Sequence, residues 1–130
     1  MPEVKVRCET VSKHVAKARG HSVVSDQPTE KGGTDLGMTP SELLLASLGA
    51  CVSVYAALYC RNHGLAYEGL EVHVSSEPAQ EPPSRIGSIR VSLKMPVPVP
   101  EVLKPGLLST AQRCLIHNTL THPPEIEVEL

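Results

Sequence analysis

The fold is decided by one stretch of the chain, residues 39–64, which reads TPSELLLASLGACVSVYAALYCRNHG. Thr39 and Glu42 have the spacing of a capping box, in which each residue satisfies a backbone N–H group of the other. Pro40, which lies between them, suits the first position of a helix because it has no N–H group to leave unpaired. The stretch therefore predicts a helix that begins at its first residues.

The same stretch carries no charged residue from Leu43 to Cys60. After it, Arg61 brings a positive charge to the last turn, and Gly64 can adopt the left-handed conformation that often ends a helix. The sequence thus predicts one long helix with a cysteine, Cys51, in its middle.

A helix that is apolar on every side has to be surrounded by lipid or by protein. Many of its side chains are small, and basic clusters and aromatic belts do not flank it, which argues against a membrane span. The small residues are suited instead to close packing around Cys51: Ala46, Gly49, Ala50 and Ser53. A chain of 130 residues has little other apolar surface to enclose such a helix, so we expect a homodimer.

Length and composition are those of an ordinary globular protein. The chain has 130 residues, of which 41% are hydrophobic and 20% charged, and we expect one domain over residues 1–130. The net charge is −2 and basic residues do not alternate with aromatic ones, so we expect no nucleic-acid partner. The first residues lack the apolar core of a signal peptide, which predicts a cytoplasmic protein whose four cysteines are kept reduced.

The part of the chain before the helix has strand patterns. Val4, Val6 and Cys8 alternate with charged residues, which predicts a half-buried strand with Cys8 as a core residue. Residues 14–25 predict a hairpin partner that turns at Arg19 and Gly20. Residues 26–38 contain one proline and three glycines and are expected to form a loop into the helix.

After the helix, residues 70–75 and 89–94 alternate as two strands, and the proline-rich residues 77–85 are expected to form an exposed connection between them. Residues 95–100 alternate proline with valine and predict an extended segment. A second helix is predicted from Pro105 onward. Its buried stripe should contain Leu107, Leu108, Ala111, Cys114 and Leu115, and a last short strand should contain Ile126, Val128 and Leu130.

The cysteines allow more than one interpretation. Cys51 and Cys60 lie about 180° apart around the helix and about 13 Å apart along it, too far for a disulfide within that helix. Cys114 is the other cysteine predicted on a buried helical face. Two buried cysteines can be packing residues or a redox pair, and their spacing alone does not decide between these roles.

Two motifs carry a resemblance to a known family. Residues 33–51, GTDLGMTPSELLLASLGAC, and residues 114–120, CLIHNTL, resemble the OsmC family, which includes the organic hydroperoxide resistance proteins. The resemblance covers the chain from about residue 22 to its end. It implies an α+β fold with antiparallel sheets wrapped around two central helices, built as an intertwined homodimer with its sites at the subunit interface.

The resemblance also implies a reaction. In the peroxidases of this family, the cysteine on the central helix attacks a hydroperoxide, and its sulfenic acid condenses with the second cysteine to a disulfide that an external dithiol reduces. By motif, Cys51 would be the peroxidatic thiol and Cys114 the resolving thiol. No metal or other cofactor is implied. A Cys114–His117 pair is weak evidence for zinc, and a hydrogen-bonded histidine at a helix end is the preferred interpretation of His117.

Two positions depart from the family pattern. The family's glutamate corresponds to Ser41, and the nearest acid is Glu42, which also has the role of capping the helix. Arg19 is the nearest candidate for the arginine that pairs with that glutamate. The site predicted by resemblance therefore comprises Cys51, Cys114, Glu42 and Arg19. These departures motivate an alternative hypothesis, a non-catalytic ligand-binding or redox-sensing protein.

Overall fold

The computed structural model describes residues 2–130, in which five β-strands and three α-helices are present. The chain separates into two compact units, Met1–Leu44 and Leu45–Leu130. The long helix begins in the first unit and continues through the second. Each unit contains one antiparallel sheet, and the chain is of the α+β class.

The sheet of the first unit contains three strands in sequential order. They are β1 (Lys5–Cys8), β2 (His14–Ala18) and β3 (His21–Ser25). The predicted hairpin is confirmed, with Ala18 paired to His21 across a two-residue turn. Arg19 and Gly20 form this turn with φ values of 50° and 82°, the combination that matches the right-handed twist of the two strands.

Cys8 does not occupy the predicted core position. All four residues of β1 are exposed, and the Cys8 thiol donates a hydrogen bond to the Thr10 carbonyl at 3.1 Å. The alternation of apolar and charged residues correctly predicts a strand, but it implies burial only where another layer covers one face. Within residues 2–44, no helix or second sheet covers β1.

The loop before the long helix is organised around one buried carboxylate. Asp26 is fully buried and accepts hydrogen bonds from the Thr34 hydroxyl at 2.5 Å, from the Gln27 N–H at 2.7 Å and from the Leu36 N–H at 3.2 Å. The Thr34 hydroxyl bond, helped by these backbone donors, holds the pKa of Asp26 well below its usual range, against the opposing effect of burial. The carboxylate thereby ties both ends of the loop together.

Asp26 predicts how stability depends on pH. Because its pKa is lowered by folding, the unfolded chain binds the proton more tightly, and the free energy of unfolding should fall as the pH drops below about 4. Asp26→Asn removes this contribution, so its unfolding free energy should vary less with pH between about 5 and 2. Urea denaturation across this range measures the difference. Asp35→Asn, at an exposed residue of the same loop, is the control and should keep the wild-type slope; equal slopes for all three proteins would contradict the assignment.

The long helix, α1 (Pro40–Asn62), begins and ends where the sequence predicts. The Glu42 carboxylate accepts the Thr39 N–H at 2.9 Å, and the Thr39 hydroxyl accepts the Glu42 N–H at 3.2 Å, which is the predicted capping box. After the helix, Gly64 has a φ of 69° in the left-handed region. The capping residues therefore set both boundaries of α1.

Only one face of α1 is buried by this chain. The buried residues form a row in which successive members are four positions apart, Leu48, Val52, Ala56 and Cys60, with Gly49 beside them. The opposite face is open, and Val54 and Leu58 on it are 56% and 40% exposed. By length and composition α1 could span a membrane, but a core helix of a soluble protein meets the same criteria.

The sheet of the second unit consists of β4 (Glu71–Pro78) and β5 (Ile86–Lys94). The prediction that residues 77–85 are all an exposed connection is wrong at its start, because β4 extends to Pro78, which pairs with Ile86 across a shift in register. Both strands of a two-stranded sheet are edge strands, and a proline at the end of an edge strand interrupts no further ladder. Residues 95–100 lie outside helices and strands, as predicted.

The predicted second helix is instead two helices. A short 3₁₀ turn, Glu101–Leu103, leads into α2 (Lys104–Ala111), and α3 (Leu115–Thr121) follows after a break. Cys114 lies in this break with extended backbone, and its sulfur caps α3 by accepting the His117 N–H. Leu107, Ala111 and Cys114 are buried as predicted, but Leu108 and Leu115 are 57% and 67% exposed. The prediction treated residues 105–115 as one continuous helix, whereas α2 ends at Ala111 and the backbone of Cys114 is extended.

The predicted last strand is absent from the described part of the chain. Residues 123–130 have no regular secondary structure, and the side chains of Ile126 and Val128 are 81% and 93% exposed. The strand pattern finds no pairing partner within this chain, and a strand without a partner is not stable in water.

Candidate functional site

The candidate site lies in the second unit, where the break between α2 and α3 meets the buried face of α1. Cys114 is fully buried, in one apolar cluster with Leu48, Val52 and Ala111. Cys51 packs against the edge of this cluster and is only partly buried. The fold thus brings together the two cysteines, 63 positions apart in sequence, that the motifs single out.

Both cysteines are free thiols, and Cys51 is near enough to Cys114 to influence the pKa of the Cys114 thiol. Helix geometry explains why Cys51 is less buried than Cys114. Leu48 and Val52 point into the core, and Cys51 lies between them and the open face of α1. The pair therefore has one buried sulfur and one sulfur that borders the surface.

The electrostatic environment of Cys114 favours its neutral form. Burial raises the pKa of the Cys114 thiol, and the neighbouring Cys51 raises it further. The His117 backbone N–H, 3.3 Å from the Cys114 sulfur, acts in the opposite direction. At neutral pH the buried sulfur is thus held as a thiol and needs a proton acceptor before it can act as a nucleophile.

The other two predicted site residues are not joined to each other. Glu42 is engaged in the capping box at the start of α1, nine positions before Cys51. Arg19 lies in the turn between β2 and β3, and within residues 2–130 its side chain forms no ion pair with Glu42. The favoured role of Glu42, capping the helix, is the one that the structure shows, and the family's arginine–glutamate pair has no counterpart between Arg19 and Glu42 in the described residues.

His117 differs from its expected role in one of its two ring nitrogens. Its Nδ1 atom is buried and has no hydrogen-bond partner in the described part of the chain. His117 lies at a helix end, in the first turn of α3, but its Nδ1 does not make the hydrogen bond that was expected there. A Cys-x-x-His spacing at a helix start was the available signal, but it cannot show whether the ring finds a partner.

Cys60 belongs to a second apolar cluster, with Ala56 and Leu107, and burial raises the pKa of its thiol. Its surroundings are those of a packing residue. Among residues 2–130, no group of three or more histidine, cysteine, aspartate or glutamate side chains is placed to hold a metal ion.

Comparison with known proteins places the sequence in a family and matches its fold to solved structures. A family model described as OsmC-like protein matches residues 32–129. A search of curated proteins gives no match. Many solved structures match at the level of fold.

Three of these structures are described here by their similarity to the chain. An osmotic stress induced and detoxification response protein from Psychrobacter arcticus 273-4 aligns with a TM-score of 0.82 and 18% identity, over 92% of this chain and 88% of that one. An OsmC-like protein from Mycoplasma pneumoniae aligns with a TM-score of 0.79 and 20% identity, over 95% and 89%. An organic hydroperoxide resistance protein OsmC from Legionella pneumophila aligns with a TM-score of 0.70 and 14% identity, over 92% and 88%. At these identities, the alignments show a shared fold.

Proposed function

The chain belongs to the OsmC-like protein family, and from this premise we propose that it is a thiol-dependent peroxidase that reduces organic or inorganic hydroperoxides through Cys51 and Cys114. One observation carries the proposal: two free thiols lie in one packed cluster as neighbours, one partly exposed and one fully buried. A redox pair needs this proximity, whereas cysteines used only for packing do not. Two solved structures with the same fold are named hydroperoxide resistance proteins.

The cycle has three steps. The Cys51 thiolate attacks the terminal oxygen of the hydroperoxide, so that an S–O bond forms, the O–O bond breaks and an alcohol leaves with a proton. The Cys114 sulfur then attacks the Cys51 sulfenic acid, forming the disulfide and releasing water. An external dithiol restores both thiols by exchange and is itself oxidised to a disulfide.

The burial of the two sulfurs supports this assignment of roles. Cys51 borders the surface, where a hydroperoxide can reach it, while Cys114 is fully buried and held as a thiol. A buried thiol with a raised pKa is a poor first nucleophile, but it is well placed to trap an intermediate that forms beside it. Trapping by a neighbour also protects the sulfenic acid from irreversible oxidation.

Glu42 and Arg19 are proposed as accessory residues only. The observed contribution of Glu42 is to fix the start of the helix that carries Cys51. An ion pair with Arg19 would require Glu42 to share or leave the capping box.

We also propose that the protein is a homodimer and works in the cytoplasm. The open face of α1 supports the dimer. It exposes apolar side chains, and their contact with water is unfavourable until a second surface covers them. A shallow apolar groove on this face is lined by Val54, Ala57, Leu58, Arg61 and Tyr67. The four free thiols are consistent with a reducing compartment.

The alternative function is a redox sensor or binding protein that does not turn over. It is favoured by the engagement of Glu42 in the capping box and by the lack of an Arg19–Glu42 ion pair within residues 2–130. The two functions differ in stoichiometry. A sensor consumes about one equivalent of peroxide per subunit, whereas a peroxidase continues while reductant remains.

Steady-state assay with cumene hydroperoxide and dihydrolipoamide tests the proposal. We expect many equivalents of hydroperoxide to be consumed per subunit, with the Cys51–Cys114 disulfide appearing by mass spectrometry when the dithiol is left out. Consumption that stops after one equivalent would establish the sensor instead. Cys51 remaining a free thiol in the presence of excess hydroperoxide would exclude both thiol-based functions.

A further inference from the structure

His117 combines two contacts that point to a role at the cysteine pair. Its backbone N–H donates to the Cys114 sulfur at 3.3 Å, which places the residue directly beside the resolving thiol. Its Nδ1 atom is buried without a hydrogen-bond partner among residues 2–130, a state that the described structure shares only with the Ser25 hydroxyl oxygen. Buried polar atoms are normally paired, and an unpaired one needs an explanation.

Covalent geometry limits how far this nitrogen can be from the sulfur. Nδ1 is separated from the His117 backbone nitrogen by four bonds, so it lies within about 8 Å of the Cys114 sulfur. One water molecule, or the oxygen of a reacting group, hydrogen-bonded at both ends, spans up to about 6 Å, so one bridging oxygen covers most of this range and a second covers the rest. The unpaired nitrogen is therefore within reach of a proton that leaves the thiol.

The chemistry of the second step requires such a group. Cys114 must lose its proton to attack the sulfenic acid, and its apolar neighbours Leu48, Val52 and Ala111 cannot accept one. The His117 backbone N–H is a donor and cannot accept a proton either. An imidazole is the side chain that takes up and releases protons most readily near neutral pH.

We propose, on the basis of the peroxidase function above, that the His117 imidazole accepts the proton of the Cys114 thiol and returns it to the oxygen that leaves Cys51. The S–S bond forms as the S–O bond of the sulfenic acid breaks, and the departing hydroxide takes the proton from His117 to become water. The imidazole ends the step as it began. His117 thus acts on the resolving step and leaves the first step unaffected.

The test separates these two steps in single-turnover experiments. His117→Asn places an amide near the position of Nδ1 and preserves hydrogen bonding, but it cannot carry a proton between the two sulfurs. With one equivalent of cumene hydroperoxide, Cys51 sulfenic acid trapped by dimedone should form at the wild-type rate. Disulfide formation should be slower by about 10²-fold or more, the usual contribution of a positioned base.

Two further variants make the result specific. His122→Asn is the matched control, because His122 is exposed at the end of α3 and its Nδ1 already has a partner, the Thr121 hydroxyl at 3.2 Å. It should behave as the wild type. His117→Ala should show the same slow step and recover rate when free imidazole is added, which loss of structure alone would not produce.

Disulfide formation at the wild-type rate in His117→Asn would overturn the inference. If the wild type does not consume hydroperoxide, the peroxidase proposal is wrong, but the role of His117 can still be tested. Diamide is then used in place of hydroperoxide to oxidise the two cysteines. Diamide forms an adduct with one thiolate, and the second sulfur then displaces the hydrazine, so this step also needs the Cys114 proton removed. A His117→Asn deficit with diamide supports the role of His117, and equal rates exclude it. His117→Gln repeats the comparison if the asparagine variant does not show the wild-type circular dichroism spectrum.

Discussion

Cys51→Ser is expected to lower hydroperoxide turnover by about 10³-fold or more, because a serine hydroxyl cannot replace a thiolate as the atom that attacks the peroxide. The expected effect on stability is small, since Cys51 is only partly buried and serine is similar in size. Initial rates with cumene hydroperoxide and dihydrolipoamide measure the loss. Urea denaturation of the same samples shows whether the fold is retained.

Cys8→Ser is the matched control, because Cys8 is the most accessible of the four thiols and lies outside the pair. It should retain full turnover. Cys114→Ser should react once and then accumulate sulfenic acid or its further oxidation products at Cys51. If Cys8→Ser loses activity and Cys51→Ser keeps it, the nucleophile has been assigned to the wrong cysteine.

The second large effect concerns assembly. We expect a particle of twice the 13.9 kDa mass of the chain in light scattering at micromolar concentration. The open face of α1 provides the reason, since covering its valine and leucine side chains removes apolar surface from water. Dissociation is then coupled to unfolding, so the melting temperature should rise with protein concentration.

A charge on this face should reverse the assembly. Val54→Lys would bury an unpaired ammonium group in the dimer contact, and we expect loss of the dimer with aggregated or unfolded protein. Val11→Lys is the control, since Val11 is fully exposed and lies in the first unit. A folded monomer with the same melting temperature in the wild type and both variants would exclude the dimer. Val54 is 56% exposed in the single chain, so a lysine there is tolerated if no second subunit covers it.

The elements that depend on local chemistry could be predicted from the sequence. Thr39 and Glu42 cap α1 through their own hydrogen bonds, so they need no distant partner to mark its start. Arg19 and Gly20 likewise specify a turn whose geometry is determined by two residues. In both cases the interactions that form the structure lie within a few positions of each other.

The errors occur where distant parts of the chain decide the structure. The apolar spacing from Leu107 to Cys114 continues across the break between α2 and α3, because Cys114 is buried whether or not it is helical. The extended backbone of Cys114 and the hydrogen bond from the His117 N–H to its sulfur distinguish the two cases. The alternation of apolar and charged residues around Cys8 shows that the strand has two different faces. It does not show whether another layer covers the apolar face, and the predicted burial of Cys8 depended on such a layer.

The candidate site was predictable in part for the same reason. The motifs of the OsmC family identify Cys51 and Cys114, but their contact is made by tertiary packing over 63 positions. The unpaired Nδ1 of His117 could not be predicted, because it depends on the absence of a neighbour and no pattern in a sequence records that.

The buried row of α1 also constrains any surface that covers the helix. Residues four positions apart are offset by about 40° around an α-helix, so the row from Leu48 to Cys60 winds through about 120° while it rises about 18 Å. The open face must wind by the same angle. A flat partner surface can therefore contact the open face over only one or two helical turns. A surface that covers this face along the whole row has to twist by about a third of a revolution.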